Sequence, residues 1–585
     1  MQEDSEVSGN TWSQPLKGWR WLAAMALLFS CLAIVTRLVL ALSDYNPNRS
    51  RTISPWIFSI GIPLAAALLL GLLARCLSSR QDFKRVLLGL TAVVGLIALF
   101  YAEEGIRGRL AWNRFKTQWE GKGEKFDFAA FIPPLVPAGQ NFAMAPVVVT
   151  TYGQILDENG HRISPYNTNV INRLQMPVEV GSGGPTNGIG NWQKAVPSNL
   201  EAWQQYYRKL ALTTNLFPVA PTPQSAALDV LVALSKCDST IEELRRAAAL
   251  PASRFPLNYD NEEPFSILLP HLASNKGCAI VLRLRALAEL EAGRSDAALA
   301  DINLALRLTE TIRSEPFIIS HLVRIAALQI TVQPIWEGLA NHRWTDAQLS
   351  TLDQQLAGFD FLADYRAAMR GECACQVASA EYLRRHPEQL YNIGNYSDNA
   401  NDQDDFPPFS ARLIPSGWFY QNQLCSAKFI LEKFVPIADP QQRIVSPGLV
   451  RQADQSLQEM RITPYTLLCK KFLPSLGNCV RKFALAENTV NLTRIACALE
   501  RYHLAKEKYP DTLAALAPQY LARIPHDPIG GQPLHYRTTE DGQYLVYAVG
   551  WDEKDDGGSV VLNKSGSLDS EKGDWVWRFP ELTKR

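Results

Sequence analysis

The chain has 585 residues, enough for three or four domains at the usual size of about 150 residues each. Its 58 basic and 58 acidic side chains balance, so nothing in its charge suggests nucleic acid as a partner, and we expect none. It contains no His-Glu-x-x-His zinc motif and no Gly-x-Ser-x-Gly nucleophile elbow, which argues against the protease and hydrolase classes that those motifs mark.

Three apolar runs near the N-terminus are predicted to be transmembrane helices. A helix needs about 20 apolar residues to cross the hydrocarbon core of a bilayer, with a lower limit of about 17. The first run is long enough if Arg37 reaches the headgroup layer, and the third is at the lower limit. A signal peptide ending near Ala41 is the alternative for the first run, but the run is longer than a signal core. The predicted segments are an N-terminal tail at 1–16 and a membrane domain at 17–104, with helices at about 20–42, 54–76 and 86–102.

The orientation of these helices is predicted from the basic residues beside them. With the N-terminus inside, the two sides of the membrane receive six lysines and arginines each, so the positive-inside rule is tied. Because long domains cross the membrane largely regardless of charge, we expect the large C-terminal body outside. The sequence thus predicts a multi-pass protein of a bacterial inner (cytoplasmic) membrane. Eight of the ten cysteines belong to the extracytoplasmic body, where disulfides are permitted, although no spacing requires them.

Residues 105–198 are predicted to be an extended linker region rich in proline and glycine. Proline fixes φ and lacks an N–H donor, so the repeated prolines in 131–146 favour an extended chain along the surface of the body. The stretch 147–152 has the composition of a short strand. Glycines crowd 181–190, but no Gly-Lys-Ser/Thr ending follows them, so this stretch is a linker loop and not a phosphate-binding loop.

A helical body is predicted for 199–485, and residues 280–308 are its clearest part. Leucines at helical spacing form an apolar face, Gly293 interrupts it, and a second apolar stripe with alanines follows. Glycine tolerates the positive φ that ends a helix, so the stretch predicts two helices joined by a tight turn. It resembles one tetratricopeptide unit, which also has a glycine in the turn and alanines in its second helix. An ordinary helical hairpin is the other interpretation.

Several single residues of this body have structural explanations. Thr345 is predicted to cap a helix that follows it. His271 and His321 are lone histidines and are predicted to pack in the interior without binding a metal. Cys373 and Cys375 stand two apart on a helix and therefore point in nearly opposite directions. We expect one of these thiols in the core and the other at the surface.

The segment 486–585 is predicted to be a separate small α+β domain. A helix ends before Pro510, two strands flank a turn at Asp541, and further strands are predicted near Val560 and Trp575. Its short motifs follow in the order Tyr509-Pro510, Asp527-Pro528, Gly530-Gly531, Asp541-Gly542, Gly550-Trp551-Asp552 and Asp555-Asp556-Gly557-Gly558. These motifs resemble the globular domain of the major pseudopilin, protein G of type II secretion systems. The chain as a whole is similar to uncharacterised membrane proteins that end in this domain, which implies no activity.

The resemblance implies a calcium site, because the acidic turn binds calcium in that family. Carried over to this chain, the metal ligands are Asp552, Asp555 and Asp556, and Ca²⁺ is the expected cofactor. Asp and Gly are also standard turn residues, so a solvated hairpin turn is the other interpretation. No Gly-Phe-Thr-Leu-Ile-Glu leader precedes the helix, and Glu487 and Arg494 make it too polar for lipid. We therefore expect a borrowed domain and not a pilus subunit.

The fold class predicted from these parts is mainly α: N-terminal transmembrane helices, a tetratricopeptide-like helical body and a small C-terminal pseudopilin-like α+β domain. The predicted function is that of a membrane-anchored, non-enzymatic envelope protein that acts as an interaction or scaffold module, without catalytic residues. Its partners would be the lipid bilayer and an unknown protein bound through the helical body, and the resemblance implies a link to a type II secretion-like system. The alternative is an envelope hydrolase whose site is assembled from dispersed residues.

Overall fold

The computed structural model describes most of the chain that follows the first two predicted membrane helices. The described residues are Gly71, 80–152, 172–180, 183–185, 187–390 and 411–580. Apart from Gly71, the helices predicted at about 20–42 and 54–76 lie outside the described residues. The chain is mainly helical and has a few small sheets, which agrees with the predicted fold class at this coarse level.

The described residues form two compact units. The first unit contains Gly71 and the described residues of 80–113, 383–390 and 411–421, and the second contains the remainder. The α-helices are, in chain order, α1 (Arg80–Glu120), α2 (Pro146–Val149), α3 (Leu200–Ala211), α4 (Ala226–Leu234), α5 (Asp238–Ala248), α6 (Pro270–Glu291), α7 (Ser295–Glu310), α8 (Ile318–Ala340), α9 (Asp346–Ala357), α10 (Phe361–Arg385), α11 (Ser416–Phe429), α12 (Pro447–Glu459), α13 (Leu467–Phe472) and α14 (Leu476–Lys506).

The helix α1 is apolar and exposed over much of its length. Its segment Leu87–Glu120 is long and apolar enough to cross a membrane, and 6% of its apolar stretch is buried. The side chains of Leu88, Leu96 and Leu99 are 73%, 67% and 66% exposed. This segment contains the third predicted membrane helix, at about 86–102.

In the first unit, α1 and α11 cross at a pair of glycines. A Cβ atom added to Gly108 would lie 2.5 Å from the carbonyl oxygen of Gly417, and one added to Gly417 would lie 1.9 Å from that of Glu104. The two backbones are therefore in direct contact, which larger residues would prevent. The hydroxyl of Tyr101 donates a hydrogen bond to the carbonyl of Leu413, 2.5 Å away, and adds a second link within this unit.

The helical hairpin predicted around Gly293 is present as α6 and α7. Gly293 has a φ of 75°, and the N–H groups of Gly293 and Arg294 donate to carbonyls in the last turn of α6. These bonds close the end of α6 so that α7 can fold back onto it. The next helix, α8, packs against both, and α14 packs against α8 and α9. Such hairpins occur in many helical folds, so the likeness to a tetratricopeptide unit stays a prediction.

The helix α8 is also long and apolar enough to cross a membrane, but 61% of its apolar stretch is buried. Its polar side chains bond to neighbouring elements of the second unit. The fully buried Arg324 contacts Asp364 (Nη1 to Oδ2, 2.6 Å) and Glu310 (Nε to Oε1, 3.1 Å). The side chain of Gln333 accepts a hydrogen bond from the N–H of Trp192, 2.6 Å away. We therefore interpret α8 as a core helix of the second unit.

The strands are short, and every pairing among the described strands is antiparallel. They are β1 (Ala438–Asp439), β2 (Ile444–Val445), β3 (His535–Thr538), β4 (Tyr544–Ala548), β5 (Val560–Leu562), β6 (Leu568–Gly573) and β7 (Trp575–Trp577). Strand β1 pairs with β2, β5 pairs with β6, and the third sheet has the order β3-β4-β7. The β3–β4 hairpin turns at Gly542, whose φ is 80°, as predicted. The polar strand β6 lacks the β-branched and aromatic residues that make strands predictable.

The C-terminal sheet packs on α14 and on the helical body within the second unit. Strands β4 and β7 contact α14. Trp577 is buried against Trp192, with 5.4 Å between ring centroids, and the indole N–H of Trp336 on α8 donates to the carbonyl that follows β7. The helix α14 begins at Leu476 and runs without a break through the predicted domain boundary between residues 485 and 486. The two predicted domains thus share a helix, and the C-terminal domain belongs to the same compact unit as most of the helical body.

The strand expected at 147–152 is wrong. Residues Pro146–Val149 form the helix α2, and Thr150–Tyr152 form one turn of 3₁₀ helix. Proline suits the first position of a helix, because its φ is already fixed there and its missing N–H is not needed. The extended surface course predicted for 131–146 is wrong as well. Ala138–Gln140 and Phe142–Met144 are turns of 3₁₀ helix, and Phe142 and Val148 are buried in the main apolar cluster of the second unit.

Candidate functional site

The three predicted calcium ligands, Asp552, Asp555 and Asp556, lie in the connection between β4 and β5. The Oδ1 atom of Asp555 accepts hydrogen bonds from the hydroxyl of Tyr547 (3.0 Å) and the N–H of Gly557 (2.9 Å). These two bonds, the backbone bond first, lower the pKa of Asp555. An ionised carboxylate is the form that would bind a cation.

A neighbouring acid, Asp574, accepts hydrogen bonds from the backbone of the same turn. Its buried carboxylate accepts from the N–H of Asp556 at 3.1 Å and from that of Gly558 at 2.7 Å, while burial raises its pKa. Asp552 accepts from the N–H of Gly573, 3.4 Å away. The turn is therefore held by carboxylate-to-backbone bonds in the described structure. The calcium site stays a prediction, and Asp574 is not among the ligands predicted from the sequence.

A second cluster contains His342, Glu500 and His503. Among the described residues, it is the group of His, Cys, Asp or Glu side chains that brings three ligand atoms within 4.8 Å of one another. Glu500 and His503 are three residues apart on α14 and so share one face of that helix. The Nδ1 atom of His342 lies 2.7 Å from Oε1 of Glu500, and the two imidazole rings stack with centroids 5.1 Å apart.

The centre of this cluster is the buried carboxylate of Glu500, which is 1% exposed. Its Oε2 atom accepts a hydrogen bond from the hydroxyl of Tyr509, 2.9 Å away. The ring of His503 stacks on that of Tyr509 at 4.7 Å, and its Nδ1 atom is buried without a hydrogen-bond partner in the described part of the chain. The hydrogen bond to Glu500 raises the pKa of His342, and burial raises the pKa of Tyr509.

His342 occupies a backbone position that glycine usually takes. Its φ is 49°, and the N–H groups of His342 and Arg343 donate to the carbonyls of Leu339 and Gly338 at the end of α8 (3.1 and 2.8 Å). These are the bonds of a helix C-terminus that is closed by a left-handed residue. The left-handed conformation costs a residue with a side chain about 1–2 kcal/mol. The chain thus holds an imidazole over Glu500 at a position where glycine would be less strained.

This cluster was not predicted from the sequence, although part of it has a sequence signal. A Glu-x-x-His spacing places a carboxylate and an imidazole on one helix face, as in metal sites of some helical bundles, and Glu500 and His503 have that spacing. His342 is 158 residues away from Glu500, and only the fold brings it to them. Tyr509 was noted as part of a Tyr-Pro motif and not as a site residue.

The lone histidines His271 and His321 lie in the interior, as predicted. Nε2 of His271 is 2.7 Å from Oε1 of Glu315, and Nε2 of His321 donates to the carbonyl of Glu315 at 3.1 Å. The hydroxyl of Ser320 also donates to the Glu315 carboxylate. Burial, and then the nearby Arg324, lower the pKa of His321 to about 4. Glu315 therefore stands between the serine and His271, which are not arranged as a nucleophile and its base.

The cysteines differ from the expectation at one pair. Cys373 and Cys375 are both buried, so the expectation that one lies at the surface is wrong. The outer side of α10 is covered by the chain that follows α1, where Arg370 bonds to Glu124 at 2.7 Å. Elsewhere, the thiols of Cys425 on α11 and Cys469 on α13 are in hydrogen-bond contact.

Comparisons of the chain with protein-family models, with curated proteins and with solved structures gave no match. The proposed function is therefore based on the sequence and structure of this chain.

Proposed function

We propose that this chain is a membrane-anchored, non-enzymatic scaffold of the bacterial envelope. The bare apolar stretch of α1 is the observation that supports the anchor. Its side chains from Leu87 to Ala102 are exposed, and burial of apolar surface is worth about 25 cal/mol per Å². A bilayer would cover this surface, and the apolar runs at 20–42 and 54–76 would cross the same membrane. Three spans and an outside body make up the proposed topology in the inner membrane.

The proposed binding surface for a protein partner is a groove of about 780 Å³ in the second unit. It lies between the segment 196–201 and the helices α4, α6 and α8. Leu287 and Leu290 supply apolar surface, and Glu291 and Arg343 supply charges of both signs. This volume is within the usual range for ligand clefts, about 300–1,000 Å³, and would suit a short segment of a partner chain.

The anchor is tested by fractionation of the full chain expressed in bacteria. We expect it in the membrane pellet after alkaline extraction and in the supernatant only after detergent. Recovery of the intact chain without detergent would contradict the anchor. For the partner, a photo-crosslinking residue at Glu201, in the groove, should give a protein adduct that one at the exposed Arg246 on α5 does not. Turnover of a substrate by the purified chain would favour the hydrolase alternative.

The outward orientation predicts a disulfide between Cys425 and Cys469, which are free thiols in the described structure and lie within hydrogen-bond reach of each other. Disulfides persist on the oxidising side of the membrane and are rare in the cytosol. A thiol oxidant of the envelope would take up the two electrons while two protons are released. After denaturing alkylation of membranes, mass spectrometry should find two more reactive thiols with prior reduction than without it. Equal counts would contradict the disulfide and remove this support for the outward orientation.

Calcium at the turn of Asp552, Asp555 and Asp556 is proposed on the resemblance to the pseudopilin domain, as is a link to a type II secretion-like system. Ca²⁺ should raise the melting temperature of the full chain relative to a chelator, and Asp555→Asn should abolish the increase. Asp260→Asn, an exposed acid elsewhere, serves as the control. A melting temperature that does not respond to Ca²⁺ would favour the solvated turn.

A further inference from the structure

The buried carboxylate of Glu500 needs a positive charge that its surroundings do not permanently supply. Burial of an ionised group is costly unless a partner of opposite charge compensates it. In the described part of the chain, its ion-pair partner is His342, which is charged only when protonated. The adjacent Arg501 points elsewhere and pairs with Asp346, at 2.8 Å. A cation bound at Glu500 would complete the site.

Two further features of the same cluster point to a ligand. The buried Nδ1 atom of His503 has no hydrogen-bond partner among the described residues, although its ring is fixed between His342 and Tyr509. His342 is held in a left-handed conformation that brings its ring over Glu500. Strained residues of this kind concentrate at functional sites. A nitrogen without a hydrogen-bond partner among the described residues, a strained imidazole and a buried carboxylate paired only with a titratable histidine thus meet at one place.

We propose that His342, Glu500 and His503 bind a divalent transition-metal ion, of which Zn²⁺ is the best fit. Two imidazole nitrogens and one carboxylate oxygen are a donor set that suits zinc, whereas Ca²⁺ and Mg²⁺ take oxygen ligands. The side chain of His342 is 42% exposed, which leaves an open side where water supplies the fourth ligand. This site is independent of the proposed calcium turn and of the membrane anchor.

The described geometry needs only small adjustments to hold the ion. Ligands about 2.0–2.1 Å from zinc stand roughly 3.3–3.4 Å apart in a tetrahedral site. The His342–Glu500 pair, at 2.7 Å, must open by less than an ångström, and the ligand atoms of the cluster, now within 4.8 Å, must draw together around the ion. The hydroxyl of Tyr509 already bonds the second carboxylate oxygen and would orient the ligand from behind.

Three protein ligands and one water are the pattern of catalytic zinc sites, but the position of this cluster gives the metal a structural role. His342 belongs to the turn that ends α8, and the other two ligands belong to the last turns of α14, next to the C-terminal sheet. One ion would therefore fix the end of a core helix to the helix on which that sheet packs. Both helices belong to the second unit.

The test is a titration of the full chain in detergent, purified without a histidine tag and stripped of metal by a chelator. We expect one Zn²⁺ per chain by calorimetry and, with Co²⁺, visible absorption of a tetrahedral complex. His342→Asn removes a ligand but keeps a residue that tolerates positive φ, and it should weaken binding at least about 100-fold. Circular dichroism of the metal-free proteins shows whether that variant is folded.

The matched control is His386→Asn. His386 has the same exposure as His342 (43% against 42%) and also lies beside a glutamate, Glu388. This substitution should leave Zn²⁺ affinity unchanged, and His503→Ala should reduce it as His342→Asn does. The proposal is overturned if wild-type protein shows no saturable site, or if folded His342→Asn protein binds Zn²⁺ as tightly as wild type.

Discussion

Two helices of this chain are long and apolar enough to span a membrane, yet the apolar stretch of one is exposed and that of the other is mostly buried in protein. Each of them contains an 18-residue stretch that is apolar enough to cross a bilayer, one within Leu87–Glu120 of α1 and one within α8. The first has 6% of its apolar stretch buried and the second has 61%. Length and apolarity alone therefore do not separate an anchor from the core helix of a large body.

The difference lies in the polar residues within each stretch. From Leu87 to Ala102, α1 contains no charged side chain, and the hydroxyl of its Thr91 bonds to the helix's own backbone. The apolar sequence of α8 contains Arg324, Gln333 and Glu337, which bond to other elements of the second unit. A helix with such groups needs protein around it, because lipid offers them no partners.

The largest expected effect on stability comes from removing the charge of Arg324, and it tests whether α8 is a core helix. In Arg324→Met, the carboxylates of Asp364 and Glu310 lose their buried partner but retain the more exposed Arg313, and we expect a loss of up to about 3–5 kcal/mol in the free energy of unfolding. Chemical unfolding of the full chain in detergent measures it. Arg451→Met is the control, because Arg451 and Glu553 are 57% and 43% exposed and such pairs contribute at most about 1 kcal/mol. Equal losses would show that α8 is not a tightly packed core helix.

The next largest expected effect is a pH dependence of the free energy of unfolding, which originates in His321 on α8. The pKa of His321 is about 4 in the folded chain and 6.5 in its ordinary state, so between these values the unfolded chain binds more protons. Stability from this group is therefore complete above pH 6.5 and is lost as the pH falls toward 4. The loss is on the order of 3 kcal/mol. Unfolding free energies at pH 7 and 4.5 should differ by less in His321→Gln than in wild type, and equal differences would contradict the assignment.

A third measurement compares the two helices as isolated membrane segments. Residues 87–105 and 318–340, placed in a host membrane protein with glycosylation tags, report how often each inserts. Arg324 costs up to about 2.5–3.5 kcal/mol in a membrane helix, so the α8 segment should insert poorly and the α1 segment efficiently. Arg324→Leu should promote insertion of the α8 segment. Efficient insertion of the unmodified α8 segment would show that its polar residues do not distinguish it from a membrane anchor such as α1.

Local signals made much of the fold predictable. A glycine between two apolar stripes predicted the α6–α7 hairpin, Thr345 predicted the start of α9, and Asp541-Gly542 predicted the β3–β4 turn. Each of these depends on a few neighbouring residues. The same approach failed at 147–152, where three valines suggest a strand, but the proline before them starts a helix. Intrinsic β-preference is weaker than such a fixed backbone position.

The candidate metal cluster was only partly predictable, for a physical reason. The pair Glu500 and His503 is visible at helical spacing, but the third member depends on how α8 packs against α14. The position of His342 at a left-handed helix end gives no pattern in a single sequence, because many residues can follow a helix. The acidic turn shows the opposite case, since Asp552, Asp555 and Asp556 are conspicuous in sequence while their bonds to the backbone are not.

The smallest expected effect on stability distinguishes the surroundings of two glycines, one on α8 and one on α1. A Cβ atom on Gly338 of α8 would lie 2.2 Å from Nε1 of Trp344, whose buried indole donates to the carbonyl of Ile335, whereas one on Gly95 of α1 has nothing within 4 Å. Gly338→Ala should therefore destabilise the chain by about 1–3 kcal/mol through overpacking. Gly95→Ala should be neutral or slightly stabilising, because alanine favours helix. Both values come from chemical unfolding in detergent. A comparable loss at Gly95 would show that another protein helix, and not deformable lipid, covers that face of α1.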